Sequence, residues 1–149
     1  MAGRTALACV AASLETEKNN HDQAIDHLES ACCLEEDTPD YLFQLGNAYL
    51  NGGLPGNAIR VLESAVNLQP LEPEFWATLS LAYRAADELD QATASIGKAA
   101  KLAPKSVKYR LQAARIAHDK GSAIKSDQFL QQAIELQPRE PQDVIELTN

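Results

Sequence analysis

At 149 residues the chain is long enough for one domain or one short repeat array, and too short for two enzyme-sized domains. Its composition, 45% hydrophobic and 23% charged, excludes wholesale disorder. Aromatics make up only 5%, and Ala, Leu, Glu and Gln outweigh Val, Ile and Thr, which argues for helices and against a β-sandwich or barrel. A formal net charge of −8 argues against a whole-molecule nucleic-acid binder, and no apolar stretch approaches the ~20 residues of a membrane span.

The prolines supply the frame in which the rest is read. Pro70, Pro104 and Pro138 recur every 34 residues, and Pro39, Pro73 and Pro141 fall in a second register of the same period. The first series follows apolar helical runs, where a missing N–H and a ring clash stop a helix. The second opens the next helix, where a first-turn proline costs nothing, as in Thr38-Pro39-Asp40 and Glu72-Pro73-Glu74. Four units follow, at about 5–38, 39–72, 73–106 and 107–140.

The first unit is degenerate. Its opening helix is Ala-rich, and Met1-Ala2-Gly3-Arg4 followed by Thr5 to Leu14 faintly resembles a secretory leader. Glu15, Thr16, Glu17 and Lys18 then follow with no small-x-small cleavage site, and the stretch fits the repeat register. Ala24, Leu28 and Ala31 form the face of its second helix. Cys9, Cys32 and Cys33 are an odd set with two adjacent, which is no disulfide framework. They suit a reducing, cytoplasmic compartment and lack the spacing of a zinc site.

The second unit places Leu42, Leu45, Gly46 and Tyr49 on one helical face and, after Gly52-Gly53, puts Ala58, Leu62, Ala65 and Val66 on another. In the third unit, Trp76, Leu79, Ser80 and Tyr83 are followed by Ala92, Ile96, Ala99 and Ala100. The fourth reads Arg110, Ala113, Ala114 and Ala117, then Ser126, Leu130, Ala133 and Ile134, and has lost the aromatics of its first helix. Each unit is therefore two antiparallel helices joined by a short turn containing Gly53, Asp87 or Gly121. One such hairpin cannot bury its apolar faces, so neighbours must stack. Pro141 to Asn149 begins a further helix (Val144, Ile145, Leu147), read as either a cap or the start of a fifth unit; the latter, in a fragment of a longer array, is favoured.

Trp76-x2-Leu79-Ser80-x2-Tyr83, then Ala92-x3-Ile96-x2-Ala99 and Pro104, resembles the tetratricopeptide repeat, and Leu42 to Pro70 matches nearly as well. The resemblance implies an all-α, right-handed superhelical solenoid with the first helix of every unit lining a concave wall. It places Ala6, Cys9, Val10 and Ser13 of the first unit on that wall. From the second unit it adds Asp40, Phe43, Gln44, Asn47, Leu50 and Asn51, and from the third Glu74, Ala77, Thr78, Leu81, Arg84 and Ala85. Lys108, Leu111, Gln112, Arg115, His118 and Asp119 complete it.

A groove for an extended or helical partner segment follows from these side chains. Phe43, Leu50 and Leu81 are the apolar anchors, and Gln44 and Asn47 are suited to a peptide backbone. Arg84, Lys108, Arg115 and His118 are the cations for an acidic stretch. The competing reading is that these residues face an adjoining helix of a longer array. Chaperone-tail carboxylate binding is disfavoured: of the Lys, Asn, Asn, Lys and Arg set that such members carry, only Asn47 and Lys108 occur, while Phe43, Thr78 and Gln112 stand at the other places.

Charge is uneven. Residues 1–40 balance to −7, residues 41–100 to −3 and residues 101–149 to +2, and Lys98 to Lys125 hold eight Lys or Arg against the single Asp119. This reads as solvated helix faces or as steering toward an acidic partner or head-to-tail self-association. No GxSxG, HExxH, P-loop, EF-hand or paired CxxC is present, and Gly52 to Asn57 lacks the Lys-Ser/Thr of a phosphate loop. His21, His27 and His118 lie on separate elements. The expectation is a non-enzymatic protein-binding scaffold without metal or cofactor, the alternative being a structural spacer or self-stacking element. By this register, Ala65→Leu or Ala99→Leu lowers the melting temperature and Phe43→Ala leaves it unchanged.

Overall fold

A computed structural model describes residues 21–34 and 38–137. Among these the chain forms seven helices and no strand: α1 (His21–Leu34), α2 (Pro39–Asn51), α3 (Pro55–Leu68), α4 (Pro73–Ala85), α5 (Leu89–Leu102), α6 (Val107–Asp119) and α7 (Ala123–Leu136). The expected first helix of the first unit and the stub after Pro138 lie outside the described residues.

Proline and left-handed backbone together set the helix boundaries. Pro39, Pro55 and Pro73 occupy the first turns of α2, α3 and α4, where their fixed φ suits the helix and no N–H is wanted. The first helix of each hairpin ends with one residue at positive φ: Gly53 (75°), Asp87 (62°) and Gly121 (75°), spaced by the repeat period. The N–H groups of Leu54, Glu88 and Ser122 then reach back to the carbonyls of Tyr49, Tyr83 and Ala117 at 2.8–2.9 Å. This backbone closure satisfies carbonyls at the helix end without help from a side chain. Asp87 takes the left-handed position with a Cβ, which short polar residues tolerate better than most.

Each helix packs on the next in sequence, and α2 also meets α4. The resulting solenoid has two adjoining cores. One joins Ala24 and Leu28 of α1 to Leu45, Tyr49, Leu62 and Leu79; the other joins Ile96, Ala99, Tyr109 and Ile116. Trp76 and Tyr83 flank both. Trp76 is only half-buried: its indole N–H donates to the Pro70 carbonyl at 2.8 Å and Lys98 Nζ lies 4.1 Å from its ring centre.

Small residues mark the close approaches. A Cβ at Gly46 would lie 2.4 Å from Leu62 Cγ, so α2 and α3 touch there as only glycine allows. Ala58, Ala65, Ala92 and Ala99 are completely buried. The fourth unit departs from expectation on its second helix. Ser126 and Ala133 are buried, but Leu130 is 41% and Ile134 62% exposed. Their counterparts Ile96 and Ala100, one period earlier, are covered by α6 and α7; among the described residues no following helix covers the last pair.

Candidate functional site

The first helices α2, α4 and α6 build one wall, and hydrogen bonds between side chains tie it together from unit to unit. Gln112 on α6 donates to the Ala77 carbonyl of α4 at 2.7 Å and to Ser80 Oγ, whose own hydroxyl donates to Ala77. Gln112 and Ala77, expected on the groove face, are buried in this contact, and Thr78, expected there too, is buried on α4. The reason is angular: these positions turn into the neighbouring helix rather than toward solvent.

Two of the four expected groove cations are already paired along the wall. Lys108 Nζ sits 2.9 and 3.1 Å from the carboxylate oxygens of Glu74, and Arg84 Nε pairs with Asp119. The Lys108 ammonium holds the Glu74 carboxyl below its ordinary value against a smaller opposing effect of burial, and the Tyr109 hydroxyl, 3.0 Å away, assists. Arg84 likewise lowers Asp119, while burial and then Glu74 push the Tyr109 phenol up to about 12. Because folding lowers the Glu74 pKa, its contribution to stability is complete above the unfolded value near 4.5 and is lost as the pH falls through the lowered folded value. Glu74→Gln should therefore lose less melting temperature than wild type between about pH 6 and about pH 3, as measured by circular dichroism.

Phe43 also has a structural role that its register position did not reveal. Its ring stacks on buried Phe75, with centroids 4.7 Å apart and an interplanar angle of 24°. It is half-buried against the first core, as is Leu50. The expectation that Phe43→Ala leaves stability unchanged is therefore corrected. Removing a half-buried stacked ring should cost about 1–2 kcal/mol, less than a fully buried one, and thermal melts of the purified variant check it.

The remaining expected site residues divide by position. Gln44 and Asn47 are half-buried on α2, Leu81 on α4 is 40% exposed, and Arg115 and His118 on α6 are exposed. Arg84, Arg115 and His118 come together around one open depression of about 540 Å³ with Leu111 and Leu130. Phe43, Gln44, Asn47 and Leu50 lie two helices away on the same wall and do not line it. Arg115 has no carboxylate partner among the described residues, whereas His118 lies in the field of Asp119. Leu111, 43% exposed, is an apolar contributor beyond the expected anchors Phe43, Leu50 and Leu81. The resemblance already places it on the concave wall, although its counterpart one period earlier, Ala77, is buried by α6.

Among the described residues no group of three His, Cys, Asp or Glu side chains is placed to hold a metal ion. No described helix is long and apolar enough to cross a membrane.

The sequence of the three described hairpins decides the family. The tetratricopeptide repeat description matches residues 39–70, 73–106 and 107–140, and a second description, TPR repeat, matches residues 12–53. The chain belongs to the tetratricopeptide repeat family. Its repeats stack as a right-handed superhelical solenoid, and tetratricopeptide repeats generally serve protein–protein interaction. No curated protein matches the sequence.

Solved structures share the fold at low identity. The crystal structure of MamA aligns with a TM-score of 0.81 at 18% identity, over 89% of this chain and 77% of that one. YrrB, described as a TPR protein with an unusual peptide-binding site, aligns at 0.80 and 19% identity over 97% and 75%. The first TPR of Spaghetti (RPAP3), bound to the HSP90 peptide SRMEEVD, aligns at 0.76 and 16% identity over 82% and 97%. At such identities the likeness carries the fold alone.

Proposed function

We propose that this tetratricopeptide domain is a non-enzymatic scaffold that grips a segment of a partner protein along the wall of α2, α4 and α6. The observation that carries this reading is exposed Leu111 and Arg115 around one depression, with exposed Leu81 at Arg115's register position one unit before; none of the three belongs to either core. Exposed apolar side chains on the wall of a guanidinium that has no carboxylate partner among the described residues suit a segment that alternates apolar and acidic residues. Because Glu74 and Asp119 already engage Lys108 and Arg84, the acid-binding role falls first to Arg115, with His118 beside it. Gln44 and Asn47 extend the site toward α2 as backbone partners. The similarity to peptide-binding neighbours such as YrrB and the Spaghetti repeat supports the class of ligand but not its sequence. Because the set of cations differs, the partner need not end in a chaperone-like tail.

A display library of soluble peptides tests this with wild type and a Leu81→Asp, Arg115→Glu variant. Apolar–acidic peptides selected by wild type should bind the variant at least about tenfold more weakly at matched helicity. Equal affinity for both would reject the groove.

One observation favours the second reading, end-to-end stacking. Leu130 and Ile134 expose on the last described helix the face that is buried one unit earlier. Light scattering of the purified chain across protein concentration separates the two readings. A monomer that still binds peptide supports the scaffold; a growing polymer supports stacking.

A further inference from the structure

A second cavity lies on another face of the same helices. Between α5, α6 and α7 a space of about 610 Å³ is walled by Ile96, Ala113, Ala117 and Phe129. Lys101, Arg110, Lys120 and Lys125 surround it, and among the described residues no acid lines it. It faces away from the groove wall: α6 presents Arg110, Ala113 and Ala117 here, and Leu111, Arg115 and His118 to the other side.

The repeat provides an internal control. One period earlier, the equivalent space between α3, α4 and α5 measures about 350 Å³ and is lined by Glu63, Asn67, Trp76, Tyr83, Gln91 and, among the described residues, a single cation, Lys98. There Tyr83 donates its hydroxyl to Glu63, and Tyr49 does the same with Glu29 one unit before. In the last unit both partners of that recurring bond are missing together: Ala117 replaces the tyrosine and Gly97 the glutamate. A Cβ at Gly97 would meet nothing within 4 Å, so the vacated volume stays open. The neutral lining changes as well, since Asn67, Trp76 and Gln91 become Lys101, Arg110 and Lys125. Among the described residues, Arg110 Nε is buried without a hydrogen-bond partner, and of the four cations only Lys120 has an acid there, Asp90.

These changes all act in one direction. Losing a ring and a carboxylate opens an apolar space and removes its negative charge, and three new cations then line it. A buried guanidinium nitrogen without an acceptor costs free energy unless something supplies one. We propose that this cavity binds an amphipathic organic anion, its apolar body against Ile96, Ala113 and Phe129 and its anionic head against Lys101, Arg110 and Lys125. A volume of this size is that of small-molecule pockets, which are mostly apolar with a few placed polar groups.

The probe is decanoate, measured by isothermal titration calorimetry on the full chain, with decanol and decyltrimethylammonium as controls of equal tail. Decanoate should bind and the two controls should bind at least about tenfold more weakly. Gly97→Glu restores the missing carboxylate into open space and replaces glycine within a helix, so the fold should tolerate it. It should weaken decanoate at least about tenfold, while the uncharged Gly97→Gln weakens it only about threefold or less. Ala117→Tyr, which refills the cavity, should abolish binding. If that variant misfolds, the Gly97 pair still decides the question. Failure of decanoate to bind wild type, equal binding of decanol, or equal loss in Gly97→Glu and Gly97→Gln would each overturn the proposal.

Discussion

Leu62→Ala is expected to destabilise the chain by about 3 kcal/mol and to lower its melting temperature by roughly 10 °C. Leu62 is completely buried and is among the largest side chains that are. It reaches across the α2–α3 contact to the place where Gly46 has no Cβ. The distinctive result lies in the combination. Gly46→Ala alone should cost about 1–2 kcal/mol, because overpacking against Leu62 outweighs the ~1 kcal/mol that alanine gains over glycine in a helix. In the Leu62→Ala background the clash is gone, so Gly46→Ala should become neutral or stabilising. Denaturant melts of the four proteins check this, and additive effects would contradict the contact geometry.

Ala99→Leu is expected to cost about 1–3 kcal/mol, through overpacking of the second core. Ala99 is completely buried on α5, in the cluster with Ile96, Tyr109 and Ile116. A leucine there has to displace α6, which the Gln112 and Tyr109 hydrogen bonds hold against α4. The loss should therefore appear as a lower melting temperature together with faster amide exchange in α6. A silent Ala99→Leu would mean that α5 and α6 are packed more loosely than described.

The sequence carried the parts of the fold that depend on period. Pro39 and Pro73 open α2 and α4, Pro70 and Pro104 follow the ends of α3 and α5, and Gly53, Asp87 and Gly121 hold the three left-handed turns. Each of these is a backbone requirement met locally, so one residue in register reveals it. Ala65 and Ala99 were equally legible, because small residues recurring on apolar faces imply close helices.

What escaped was angular and inter-unit. Phe43 sits at a solvent-facing register position, yet its ring leans onto Phe75 of the next unit, a contact that depends on how far one hairpin rises and turns over another. The same rise pairs Glu74 with Lys108 and Arg84 with Asp119, so two of the expected groove cations meet partners one unit away in sequence. Loss of the aromatics in the last unit was visible, but its consequence was not. Ala117 and Gly97 are 20 residues apart, and only their placement on facing helices shows that the tyrosine and glutamate were deleted as a pair.

The most direct test of the interaction reading is amide chemical-shift mapping with a selected apolar–acidic peptide on isotope-labelled chain. The shifts should concentrate on α2, α4 and α6, centred on Leu81, Leu111 and Arg115. Shifts centred on α3, α5 and α7, with those three residues unmoved, would contradict it.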